Sequence, residues 1–141
     1  MDFAMVGPGI ALGLSCLGSA IGCTIAGMAA QGAMTHVEEG HGKFIGISAM
    51  PSSQSIYGFL LMLLMKFAIQ RGSLSELSAL GIGFFVGLAI MGSAIYQGKC
   101  AATAIQAIAK QPNIFGKAVA APAIVEAFAL FAFVFSLLII S

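Results

Sequence analysis

AVAAPAIVEAFALFAFVFSLLII, residues 118–140, decides the fold: apart from Pro122, Glu126 and Ser136 it is all Ala, Val, Ile, Leu and Phe. A run of this length exceeds the ~20 residues that carry a helix across the hydrocarbon layer. One carboxylate stands near its middle. An ionised side chain at that depth costs roughly 3 kcal/mol on insertion scales. Such a group is kept for a function, or is protonated and hydrogen-bonded between helices, and both readings start from Glu126.

The rest of the chain agrees. It has 141 residues, 60% of them hydrophobic and 8% charged, whereas a soluble domain carries about 25% charge. This is the composition of an integral membrane protein. The net charge is +1, with no Trp and no basic run, so nucleic-acid binding has no electrostatic footprint. Asp2 precedes the first span and no Lys or Arg occurs before Lys43. A signal peptide's basic leader is therefore missing, and the first apolar segment is expected in the mature protein. Cys16, Cys23 and Cys100 lie inside apolar segments without zinc-type spacing, and read as small buried packing residues.

Four apolar segments predict membrane helices at residues 5–34, 44–70, 77–109 and 115–140. The breaks are short and polar: THVEEGHGK (35–43), RGSLSE (71–76) and KQPNI (110–114). In lipid, a helical bundle satisfies every backbone group internally, so one all-α membrane domain over residues 1–141 is expected.

The two halves repeat. GLSCLGSAIG (13–22) and GLAIMGSAIY (87–96) superpose at an offset of 74, and Pro51 and Pro122 at an offset of 71. Each half holds two spans, so the halves point the same way: a parallel duplication with hairpins at residues 1–72 and 73–141, unlike the inverted repeats of many transporters. Offset 71 sets Ser55 opposite Glu126, leaving one membrane acid per four helices. The first and third helices are rich in small residues. Gly9 and Gly13, Gly18 and Gly22, and Gly83 and Gly87 stand four apart, with Gly92 equivalent to Gly18. This spacing lets helix backbones approach closely. Thin helices alternating with bulkier ones suggest an inner thin layer and an outer layer facing lipid. GPGIALG (7–13) lacks a preceding strand and the GxGxxG spacing, so packing explains it better than nucleotide binding.

Counting inward from the first and third loops puts Ser53, Gln54, Gln97 and Glu126 at one depth, roughly 15 Å below the same face at 1.5 Å per residue. Tyr57 follows Gln54 by three on the same helical face. A carboxylate, a hydroxyl and two amide oxygens suit a small dehydrated cation such as Na+, while H+ needs only the acid and a steadying partner. Pro51 loosens its helix, freeing backbone oxygens. The alternative for Ser53, Gln54 and Gln97 is interhelical glue, each bond worth under about 1 kcal/mol.

MPSSQSIYGF (50–59), AIYQGK (94–99) and AIVEAFALF (123–131), on a doubled hairpin, resemble the membrane rotor-ring proteolipid, subunit K or c, of V/A-type rotary ATPases. The resemblance spans essentially the whole chain. It implies a non-catalytic subunit forming a closed ring of about ten copies, with a static Arg-bearing subunit and a central stalk as partners and lipid around it. No resident cofactor is implied; the cargo is Na+ or H+, carried on Glu126. The sodium-coupled branch maps its ligands onto Ser53, Gln54, Gln97, Glu126 and the Met50 carbonyl, with Tyr57 holding the acid. Ser53 stands where Thr is more familiar.

His36 and His41 flank Glu38 and Glu39 in the first loop and read as solvated rather than metal-binding. Lys66 lies near a helix end, where its stem can snorkel. Lys43, Lys110 and Lys117 against Lys66 and Arg71 favour loops 1 and 3 inside and the termini outside. Compact length and short loops suit a prokaryotic plasma membrane. Two other classes compete: a four-span proton-coupled multidrug antiporter, opposed by the parallel repeat and the Glu in the last helix, and a purely structural membrane bundle, which has no use for a level polar layer.

Overall fold

The computed structural model describes residues 3–140; Asp2, whose charge entered the leader argument, lies outside them. Five helices follow in order: α1 (Val6–Met34), α2 (His41–Ser48), α3 (Ser53–Gln70), α4 (Glu76–Lys110) and α5 (Phe115–Ile140). Together α2 and α3 form one span, His41–Gln70, so four segments are long and apolar enough to cross a membrane. No strand occurs among the described residues. The second span starts three residues earlier than expected, because Gly40 takes a left-handed backbone (φ 82) that turns the chain straight into α2. Gly72 (φ 76) likewise ends α3. Ser75 caps α4 by accepting from Ser78 N at 3.2 Å, with Glu76 in the first turn and Lys110 in the last, both favourable to the helix dipole.

The second span is broken where Pro51 sits, by a 3-10 turn at Met50–Ser52. Proline removes an N–H, and the next two hydroxyls compete for the ladder: Ser52 Oγ donates to Ala49 O at 2.7 Å and Ser53 Oγ to Met50 O at 3.0 Å. The equivalent Pro122 leaves α5 continuous. It is followed by Ala123 and Ile124, which offer no competing hydroxyl.

The α1 and α4 backbones touch. A Cβ on Gly7 or Gly83 would fall into the other helix's backbone, as would one on Gly22 or Gly98, and one on Gly18 would sit 2.6 Å from Met91 Cα. Gly87 is less tight, its Cβ position lying 3.1 Å from Leu14 Cδ1. Gly9, Gly13 and Gly92, grouped with these by spacing, have nothing within 4 Å in the chain. They lie on the far faces of the same two helices. Packed outside this thin pair, α3 meets α1 where Gly58 faces Ser15, and α5 runs against α4. On the outer face Ile124, Phe128, Phe135 and Leu138 are all more than 60% exposed, which suits lipid contact. Cys16 is exposed and Cys23 and Cys100 are half-buried in the chain. They are not buried as expected, because they project from α1 and α4 away from the glycine contact.

Two apolar clusters fill the bundle. One, near the termini, includes Leu61, Met65, Ile90 and Ala129; the other, near loops 1 and 3, includes Ala30, Phe44, Ile47, Ile105 and Ile108. Between them lie buried Ser15, Ser19, Gln54, Ser93 and Gln97. Ser136, the buried polar residue outside this polar slab, turns its hydroxyl back to Phe133 O.

Candidate functional site

The broken span opens the site. At the 3-10 turn Met50 turns its carbonyl to Ser53 Oγ, which also lies 3.2 Å from Gln54 Oε1 as its second acceptor. Gln54, fully buried on α3, donates from Nε2 to Gln97 Oε1 on α4 at 2.7 Å. Gln97, also fully buried, spends its Nε2 on Pro122 O and Glu126 Oε2 of α5, both at 3.2 Å. Tyr57, one turn beyond Ser53, donates its hydroxyl to Glu126 Oε1 at 3.2 Å. Residues from three helices thus form one continuous chain of hydrogen bonds ending on a single carboxylate.

Each link answers a physical demand. A buried primary amide without partners costs several kcal/mol in a medium that cannot hydrogen-bond, so Gln54 and Gln97 satisfy one another and Glu126. The carboxylate is half-buried, and each of its oxygens accepts one donor. The oxygens brought together are of one kind. Glu126 Oε1 and Oε2, Gln97 Oε1, Gln54 Oε1, Ser53 Oγ and Met50 O are all hard ligands, as an alkali cation requires, with no thiol or imidazole among them.

All six residues singled out from the sequence (Met50, Ser53, Gln54, Tyr57, Gln97 and Glu126) meet here, Met50 through its carbonyl. Two contributors were missed. Ser93 Oγ donates to Val125 O at 2.8 Å, pinning α5 to α4 beside Glu126; its position one turn before Gln97, inside the repeated GSAI block, was the available signal. Phe133 stacks on Tyr57 with ring centroids 6.1 Å apart and planes 20° from parallel, seven residues after Glu126 on the same face. At the start of α2, His41 Nε2 lies 2.6 Å from Val37 O of the first loop. No group of three His, Cys, Asp or Glu able to hold a metal occurs among the described residues.

A family model for the ATP synthase C subunit matches the chain twice, over residues 6–65 and 80–139. The chain belongs to that family. The two matched stretches fit the two tandem hairpins, α1 to α3 and α4 with α5. Within the family it is 33% identical over 135 residues to A-type ATP synthase subunit K of Methanocaldococcus jannaschii, covering 96% of this chain. The chain spans 60% of that relative's length. It is 31% identical over 142 residues to V-type sodium ATPase subunit K of Enterococcus hirae, covering 99% of this chain and 91% of the other.

Proposed function

We propose that this chain is the ion-carrying subunit of a rotor ring in a V/A-type ATPase or ATP synthase, and that Glu126 carries Na+ across the membrane. Nucleotide chemistry then belongs to other subunits. The observation that carries this reading is the hydrogen-bonded chain from Met50 O through Ser53, Gln54 and Gln97 to Glu126. A proton needs one carboxylate and a donor. Two fully buried amides add desolvation cost to a proton site, whereas each of their oxygens replaces a water lost by Na+. Loaded with Na+, the carboxylate becomes electrically neutral, which lowers the cost of its exposed part facing lipid. Tyr57 then holds the acid in place. The name of the Enterococcus hirae relative, a sodium ATPase subunit, points the same way.

In this reading about ten copies close a ring by one repeated contact. A static Arg-bearing subunit exchanges the ion, and a central stalk couples the ring to the nucleotide sites, all in a prokaryotic plasma membrane with loops 1 and 3 inside. Family membership disfavours the drug-antiporter alternative. The test is carbodiimide labelling of the assembled complex. The reagent attacks the protonated acid, so it should modify Glu126 and stop ATP-driven transport, and Na+ should protect. Protection should weaken as pH falls, since H+ competes for the same oxygen. If millimolar Na+ leaves the labelling rate unchanged at neutral and alkaline pH, the cargo is H+ and the amides are glue.

A further inference from the structure

One buried side-chain polar atom among the described residues has no partner: Ser19 Oγ on α1. Ser19 is 5% exposed. Its neighbours on the same helix solve this problem by folding back. Ser15 Oγ donates to Ala11 O at 2.7 Å and Thr24 Oγ1 to Ala20 O at 2.8 Å. The Ser19 hydroxyl makes no such bond.

Two observations locate what it faces. Along the antiparallel α1/α3 contact, Gly58 packs on Ser15, and a Cβ on Gly22 would lie 2.8 Å from Pro51 Cβ. Ser19 is one turn on from Ser15, and Gln54 is one turn back from Gly58, so the register sets them opposite. The duplication brings the same two positions together, there through a serine that donates to a backbone carbonyl. Ser93 Oγ bonds Val125 O, and the offsets of 74 and 71 turn that pair into Ser19 and Gln54.

Gln54 has a donor to place. Its Nε2 carries two N–H groups, of which one goes to Gln97 Oε1. That acceptor is also one of the oxygens the proposed cation would take. When the cation draws Gln97 Oε1 to itself, the fully buried Gln54 amide loses its partner and needs another. Resting on the Na+ reading above, we infer that Ser19 is a positioning residue that accepts the Gln54 amide N–H in the cation-loaded state, turning Gln54 Oε1 onto the ion. The orphaned hydroxyl is the vacant half of a two-state hydrogen bond.

The test uses the whole complex in membranes and reads two quantities: the Na+ concentration that half-protects Glu126 from carbodiimide, and the pH profile of labelling without Na+. Ser19→Ala should raise the half-protecting Na+ about tenfold, the worth of one hydrogen bond. The Na+-free profile should not move, because Ser19 does not touch Glu126. Ser15→Ala, removing a hydroxyl already satisfied within α1, should change neither. Ser19→Cys keeps the volume with a poorer acceptor, should shift Na+ protection by an intermediate amount, and carries the test if Ser19→Ala does not assemble. Unchanged Na+ protection in Ser19→Ala or Ser19→Cys overturns this inference alone, as does an equal shift in the Na+-free profile, which would mark general loosening. Absence of Na+ protection in the unaltered complex overturns the Na+ reading, and this inference with it.

Discussion

The first and second hairpins have a common plan and opposite chemistry. Each has a thin helix carrying the GSAI block and a bulkier one carrying a proline. In the first, Pro51 and the two serines after it break the helix, and the Met50 carbonyl turns to Ser53 Oγ. In the second, Pro122 is followed by Ala and Ile, the helix runs on, and a carboxylate follows four residues later. Where α4 offers Gln97, offset 74 gives Cys23 on α1; where α5 offers Glu126, offset 71 gives Ser55. One hairpin supplies the charge and the other supplies most of the neutral oxygens around it. The two unlike halves together make a candidate site that neither could build alone.

The largest effect expected from disturbing this asymmetry comes from moving the acid. Glu126→Gln should abolish both carbodiimide labelling and transport. Adding Ser55→Glu should not restore Na+-sensitive labelling, because that position has Cys23 in place of Gln97 and Phe128 in place of Tyr57. Recovered, Na+-protected transport in the double variant would show that the hairpins are interchangeable after all.

Next comes the pair Gly18 and Gly92, equivalent by repeat and unequal in surroundings. Gly18→Leu forces a side chain into the Met91 backbone, and overpacking of this kind costs typically 1–3 kcal/mol and occasionally more. Assembly of the proposed ring, read as the mass of the detergent-extracted complex, should be lost. Gly92→Leu enters space that is open within the chain, so the four-helix unit should keep its helicity by circular dichroism, and any defect should appear at the level of assembly. Equal loss of helicity in both would remove the distinction.

A smaller change is expected from Tyr57→Phe, which deletes the donor to Glu126 Oε1 and keeps the stack on Phe133. A hydrogen bond to a charged acceptor is worth about 1.5–3 kcal/mol. The half-protecting Na+ concentration should therefore rise at least tenfold, with assembly intact. Smallest is Ser93→Ala, which releases Val125 O at about 1 kcal/mol. Its expected mark is a slightly lower thermal midpoint of the ring, with Na+ protection shifted by a few-fold at most.

Much of this was legible in the sequence, for a physical reason in each case. Long apolar runs announce membrane helices because lipid admits little else, and counting at a fixed rise brought Gln54, Gln97 and Glu126 to one level. Depth is readable from such a chain; azimuth is not. A helix apolar on every side gives no polar face from which to tell inside from outside. The same spacing therefore grouped Gly13, which meets nothing, with Gly22, which touches the α4 backbone. It also hid Ser93 and Phe133, whose importance lies in which way they point. The continuity of α5 through Pro122 was equally unreadable from the proline alone, since the residues after it decide whether the ladder resumes.

The glycine contact between α1 and α4 has a mechanical meaning. Where two backbones meet with no side chain between them, no rotamer is available to absorb a displacement. The two helices share loads as a single stiff beam, and Ser93, fastening Val125 to that beam, passes a sideways push on Glu126 directly into it. Within the second span, compliance is left to the interruption of the ladder at Met50–Ser52. The protein sets a soft joint in its second span against a rigid spar, and the joint sits beside the carboxylate.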